Sequence, residues 1–145
     1  MHPAKILFSD SPAPRRLSPV EHYAGNSHFI KKALTKQNEL QGIFDITLDL
    51  EDGAIVGQES AHARLMGEIL ASKDNVFQRL GVRVHEPSHA HFPADIDGVL
   101  QAGKQAPAYW MVPKITGLAQ AKSAIATIVQ DRKSTRLNSS HHFIS

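Results

Sequence analysis

Strand-like and helix-like segments alternate four times along this chain, and no other feature narrows its fold as much. "VEHYAG" (Val20–Gly25) reads as a short strand ending in a glycine turn. "NSHFIKKALTKQNELQG" follows, with Asn26 or Ser27 as N-cap, Gly42 as a stop, and Phe29, Ile30, Ala33 and Leu34 on one apolar face. "IFDITLDLED" is the second strand, and "QESAHARLMGEILAS" is a helix with Ala61, Leu65, Met66 and Ile69 in its stripe. "GVRVHE" is the third strand. Pro93 suits the first turn of the next helix, which carries Ile96, Val99 and Leu100 before Gly103. "AYWMVPK" and "GLAQAKSAIATIVQ" complete the series, the last with Leu118, Ala121, Ile125, Ile128 and Val129 on one face. Strict alternation predicts an α/β fold, a parallel sheet with covering helices. No G-x-G-x-x-G follows the first strand, which removes the main support for a dinucleotide-binding fold. A parallel β/α (TIM-type) barrel typically needs ~250 residues. A chain of 145 residues supplies about the first four units of one.

The second strand carries the chemistry. Side chains alternate along a strand, so Phe44, Ile46, Leu48 and Leu50 share one face and Asp45, Thr47, Asp49 and Glu51 the other. An amphipathic surface strand is one account of this pattern. In a barrel, the apolar row meets the helices and the polar row enters the interior. Catalytic groups of barrels lie at the C-terminal strand ends, where Glu51, Asp52 and Gly53 stand. Carboxylates there need cationic partners, because unpaired interior charge is costly. Arg83, on the face opposite Val82 and Val84, is one: it reads either as a salt bridge to Asp49 or Glu51 or as a clamp on a substrate carboxylate. Lys114, after Pro113, reads as a rim charge or as part of the site's positive field.

Composition excludes several classes. Without cysteine there is no disulfide framework, thiolate metal site or thiol nucleophile. No apolar run approaches the roughly 20 residues of a membrane helix. The apolar run Ile6-Leu7-Phe8 is too short for a secretory signal, so a cytoplasmic protein is expected. The net charge of +2 sits in the last stretch, residues 131–145; the body holds 13 basic and 13 acidic residues and gives no indication of nucleic acid. Residues 1–19 read as an irregular, proline-rich leader and residues 20–130 as the N-terminal half of a barrel domain. Residues 131–145, "DRKSTRLNSSHHFIS", lack apolar periodicity and read as a polar tail outside the fold. Back-translated with permitted codons, Asp131 to His141 resembles a common sequencing-library adapter. The tail is therefore expected to be non-native, and the natural protein to continue beyond about Gln130.

"DITLDLEDGA" (Asp45–Ala54), "VRV" (Val82–Val84) and "VPKI" (Val112–Ile115), in that order and spacing, resemble the citrate lyase beta-subunit-like branch of the HpcH/HpaI aldolase superfamily, which includes malyl-CoA lyases. "AGNSHFIKKAL" (Ala24–Leu34) resembles that group's first turn and helix. The resemblance covers about Val20 to Gln130. It implies a β/α barrel and a Mg2+-dependent carbon–carbon lyase. The expected substrates are CoA thioesters such as malyl-, citramalyl- or citryl-CoA, split into an acyl-CoA and a 2-oxo acid. It implies catalytic roles for Arg83, Glu51 and Asp52, substrate binding by Arg83, Lys114 and Asp49, and CoA contacts at Phe29 and Lys32. It also implies a homo-oligomer, a trimer or a multiple of one, with neither nucleic acid nor membrane as partner. The sequence departs from the pattern at His85, where the family usually has Asn, and at Ala24, where it usually has Pro. The family's acidic metal ligands lie on strands after the "PK" segment, so no residue here is assigned to metal. Two alternatives are a CoA-independent class II aldolase acting on hydroxy-oxo acids and a non-catalytic fragment. The literal 145-residue chain is expected to be inactive and poorly soluble, since an unclosed sheet leaves free edges.

"HEPSHAH" places His85, His89 and His91 in a strand-to-helix loop. It reads as ordinary loop histidines, as substrate contacts, or as a metal site, although the zinc spacing H-E-x-x-H is absent.

Overall fold

The computed structural model describes residue 18, residues 21–53 and residues 56–140. The leader lies outside the described residues except for Ser18, whose hydroxyl donates to the Ile43 carbonyl at 2.8 Å. Ala54, the last residue of the acidic motif, and residues 141–145 of the tail also lie outside.

The elements run β1 (Glu21–Ala24), α1 (Ser27–Glu39), β2 (Asp45–Asp49), α2 (Glu59–Ala71), β3 (Leu80–Arg83), α3 (Phe92–Gly103), β4 (Trp110–Met111) and α4 (Leu118–Ser140). The four strands pair in parallel in the order β1-β2-β3-β4. The order never reverses. Right-handed crossovers therefore place every helix on the same face of the sheet. This is the architecture of a partial TIM-type barrel, as the alternation predicts.

Local chemistry sets the helix ends. The Asn26 side chain accepts the Phe29 N–H at 3.0 Å and caps α1. Pro93 sits in the first turn of α3, and Lys104 ends that helix in a left-handed conformation. Three helices bury faces close to those expected. α1 buries Ile30, Ala33, Leu34 and Gln37, while Phe29 stays 54% exposed. Gln37 is spent on the junction with β2, donating to the Phe44 carbonyl at 2.7 Å. α2 buries Ala63, Met66, Gly67 and Leu70 rather than a stripe through Ala61, which is exposed. The buried row still follows helical spacing, but one of its members is a glycine, which carries no apolar signal.

α4 departs further. Ala124 is buried and Ile128 partly so, whereas Leu118, Ile125 and Val129 face solvent. Among the described helices α4 packs against α3, and that single neighbour selects a narrow small-residue strip. The helix also continues through residues 131–140, which were expected to lie outside the fold. No Gly or Pro interrupts Leu118 to Ser140, so nothing stops propagation. No helix among the described residues is long and apolar enough to cross a membrane.

The sheet separates the two rows of side chains. Ile46, Leu48, Leu50, Leu80, Val82 and Val84 are buried toward the helices. Each contributes roughly 1.5–3 kcal/mol on burial. On the other face Tyr23, Thr47 and Gly81 lie in register. A Cβ on Gly81 would fall 2.1 Å from the Tyr109 ring, so the glycine clears space for that ring. The Tyr109 hydroxyl donates to Glu21 at 2.9 Å and lies 2.7 Å from the Thr47 hydroxyl. Burial pushes the Tyr109 phenol above its ordinary pKa. The Glu21 carboxylate adds to the rise, and the Thr47 hydrogen bond opposes it.

A phenol whose folded pKa lies above its unfolded value of ~10 supports the fold at lower pH. That support is fully present below the unfolded value and is lost as pH rises toward the folded one. Urea unfolding should therefore show stability falling above pH ~10. The Tyr109→Phe variant should fall much less steeply over the same window; equal slopes would remove Tyr109 as the cause.

Candidate active site at the strand ends

β2 and β3 bring Asp49 and Arg83 into register as direct neighbours. Asp49 is only 7% exposed, so its charge needs a partner. Arg83 supplies one through a two-pronged pair, Nε to Oδ1 at 2.8 Å and Nη2 to Oδ2 at 2.7 Å. The same guanidinium reaches Asp52 Oδ2 from Nη2 at 2.6 Å and Glu51 Oε2 from Nη1 at 2.9 Å. Its carbon lies 5.2 Å from the centroid of the Tyr23 ring, a cation–π distance. Glu51 extends the cluster by accepting Lys114 Nζ on Oε1 at 2.7 Å. Three carboxylates thus meet two cations where β2, β3 and β4 end.

The turn after β2 is built to do this. Asp49 Oδ1 accepts the Glu51 N–H at 3.1 Å, folding the chain back over its own strand end. The Leu50 N–H continues the ladder to the Arg83 carbonyl at 2.9 Å, and the His62 ring lies 3.1 Å from the Asp49 carbonyl. The turn also presses on the β1–α1 turn. A Cβ on Gly53 would lie 2.3 Å from the Asp49 carbonyl and 2.7 Å from Gly25 Cα, so both turns need glycine at that crossing. Lys114 adopts a left-handed backbone, φ 54°. That conformation costs a non-glycine residue on the order of 1–2 kcal/mol.

The electrostatics favour the charged forms of Arg83 and Lys114. Hydrogen bonds donated to Asp49 raise the Arg83 pKa, with burial opposing and Asp52 and Glu51 reinforcing. The Glu51 hydrogen bond raises Lys114 in the same way. Burial raises the Tyr23 phenol, with Glu21 next and Arg83 opposing. A guanidinium has five N–H donors. The Nε–H and both Nη2 hydrogens donate to Asp49 and Asp52, while Nη1 faces Glu51 as an ion pair and makes no hydrogen bond among the described residues.

Sequence reasoning located Asp49, Glu51, Asp52, Arg83 and Lys114, and the structure brings all five together. The structure shows Arg83 salt-bridged, to Asp49 and Glu51 as expected and to Asp52 as well. Phe29 and Lys32 are elsewhere, in a groove of about 850 Å³ along α1 shared with His28, Lys31 and Lys36. His85 lies past the end of β3, where strand alternation no longer governs it. It turns to Asp95 on α3, with Nδ1 2.7 Å from Oδ2. It also lines a cavity of about 330 Å³ together with Glu51, Asp52, Glu86, His89 and Lys114. Sequence reasoning missed Tyr23 and Asp95. Tyr23 was readable from strand alternation in "EHYA". Asp95 sits ten residues from His85 and gave no local sign.

The donor set does not fit a metal ion. The carboxylates of Asp49, Glu51 and Asp52 are occupied by Arg83 and Lys114. His89 stacks on both His85, at 4.3 Å and 12°, and His91, so the rings lie face to face rather than converging on a point. Among the described residues no group of His, Asp or Glu is arranged to hold a metal.

No family model matches the sequence, and no curated protein matches it. A solved structure does. A citrate lyase from Burkholderia xenovorans LB400 superposes with TM-score 0.79 at 43% sequence identity, over 83% of this chain and 38% of that one. The chain belongs to the citrate lyase-like family. It spans well under half the length of that citrate lyase.

In this citrate lyase-like chain the Arg83 cluster should behave as a coupled unit. Arg83→Met leaves partly buried carboxylates unpaired and should lower stability by about 3 kcal/mol in urea titrations. Adding Asp49→Leu should restore part of the loss, giving a coupling energy above roughly 1 kcal/mol. Additive effects would mean that the pair is not coupled.

Proposed function

We propose that the protein carrying this chain cleaves, or in reverse forms, the carbon–carbon bond of a 3-hydroxyacyl-CoA thioester such as malyl-, citramalyl- or citryl-CoA. The products of cleavage are an acyl-CoA and a 2-oxo acid. The observation that carries this reading is the convergence of Asp49, Glu51, Asp52, Arg83 and Lys114 at the C-terminal strand ends. The kinship with a citrate lyase supports the reaction class.

Arg83 binds a substrate oxygen through Nη1, which makes no hydrogen bond among the described residues. Asp49, Glu51 and Asp52 hold the guanidinium at fixed geometry, so it meets charge developing on that oxygen without reorganising. Lys114 adds positive potential from the opposite side of Glu51. Phe29, 54% exposed, and Lys32 contact the CoA portion: the groove along α1 offers a ring beside three lysines, which suits an anionic ligand with an aromatic base. Mg2+ belongs to the proposal as a Lewis acid. The three carboxylates here are committed to Arg83 and Lys114, so no step is assigned to the ion through them.

The test is an assay of the complete protein on malyl-CoA-like thioesters and on free hydroxy-oxo acids, with and without Mg2+. Thioester cleavage is expected; strict preference for free acids would instead mark a CoA-independent aldolase. In the active enzyme, Arg83→Ala should lower kcat and raise KM for the 2-oxo acid in the condensation direction by at least about tenfold. Lys32→Glu should raise KM for the thioester alone. Unchanged kinetics in either variant would remove the role assigned to that residue.

A further inference from the structure

We infer that His85 is a proton-transfer residue of this pocket, held in working form by Asp95. The inference rests on the lyase reading above and adds a residue for which that reading has no use.

Three observations carry it. Asp95 Oδ2 accepts both the His85 backbone N–H at 3.0 Å and the ring at Nδ1 at 2.7 Å. A carboxylate only accepts, so Nδ1 carries the proton and Nε2 of the neutral ring is a base. Nε2 has no hydrogen-bond partner among the described residues. His85 and Asp95 are both buried, at 8% and 2% exposure, yet His85 lines the same cavity as Glu51, Asp52 and Lys114. A parallel stack on His89, 4.3 Å away, keeps the ring from turning. The site thus pairs a fixed base with an orienting carboxylate, as proton transfer requires.

In cleavage, Nε2 accepts the proton of the substrate's 3-hydroxyl. The carbon bearing that hydroxyl becomes the carbonyl of the 2-oxo acid. The electron pair of the broken carbon–carbon bond passes to the α-carbon of the thioester as an enolate. Nε2 then delivers the proton to that carbon, which completes the acyl-CoA and returns His85 to its neutral form. Asp95 stabilises the imidazolium between the two transfers. The charged and titratable groups facing His85 are Glu59 from α2, Glu86, His89 and His91 from its own loop, Asp95 from α3, and Glu51, Asp52 and Lys114 across the cavity.

The complete enzyme carrying His85→Ala should lose about 100-fold or more in kcat. Added imidazole should restore roughly tenfold of the loss, because the vacated space opens on the cavity; a merely structural histidine would give no such rescue. Asp95→Asn should lower kcat without imidazole rescue. A kcat within about threefold of wild type, or a loss that imidazole leaves untouched, overturns the assignment. Should His85→Ala not fold, nitrogen-15 spectra of the wild-type protein decide: a proton on Nδ1 and a bare Nε2 support it, and the opposite tautomer overturns it. A wild-type enzyme that cleaves no hydroxyacyl thioester fails at the lyase reading itself and takes this inference with it. Active wild type with an indifferent His85 variant sinks only the latter.

Discussion

The Asp49–Arg83 pair is the contact on which the rest of the site depends. It joins β2 to β3 in register at the last residue of each strand, on the face away from the helices. Everything beyond those strand ends is referred to it. Asp49 folds the following turn through the Glu51 N–H, and that turn returns Glu51 and Asp52 to the same guanidinium. Glu51 in turn accepts the Lys114 amine at 2.7 Å. One strand-end pair thus organises residues from three separate segments.

Stability does not explain the cluster. A partly buried ion network roughly balances desolvation against attraction, and an apolar replacement of similar shape is often as stable. The opposite face of the same strands holds the fold: each buried Ile, Leu or Val there contributes on the order of 2 kcal/mol. A network that adds little to folding, yet engages nearly every donor of one arginine, is better explained by what the arginine must do. Its worth lies in a fixed position, which a flexible or solvated cation could not supply.

This division was legible in the sequence because strand alternation is strict. Parity alone assigns Ile46, Leu48 and Leu50 to the core and Asp49 to the interior, and a parallel order places Glu51, Asp52, Arg83 and Lys114 at one end. What parity cannot reach lies past the strand ends. His85 continues the "VRVH" alternation in sequence, but at that point the chain has left the sheet and is turned by Asp95, a residue of the next helix. Helix faces were legible where the apolar residues themselves are buried, as in α1 and α3. They failed where small residues make the contact, at Gly67 and Ala124, because a close approach leaves no hydrophobic mark.

The charge count at the mouth constrains the chemistry further. Asp49, Glu51 and Asp52 carry three negative charges against two positive ones on Arg83 and Lys114, and Glu86 stands 3.9 Å from the Lys114 amine. A bare carboxylate approaching to ~4 Å of an uncompensated charge is repelled by about 4 kcal/mol at an effective dielectric near 20. For the proposed substrate, Nη1 of Arg83 therefore suits an uncharged oxygen, a hydroxyl or a thioester carbonyl, better than the acid group. The acid group needs positive charge from a source other than these two side chains. On the proposed reaction, the excess of negative charge at this mouth assigns Arg83 to the oxygen on which charge develops and leaves the substrate's permanent charge to be met elsewhere.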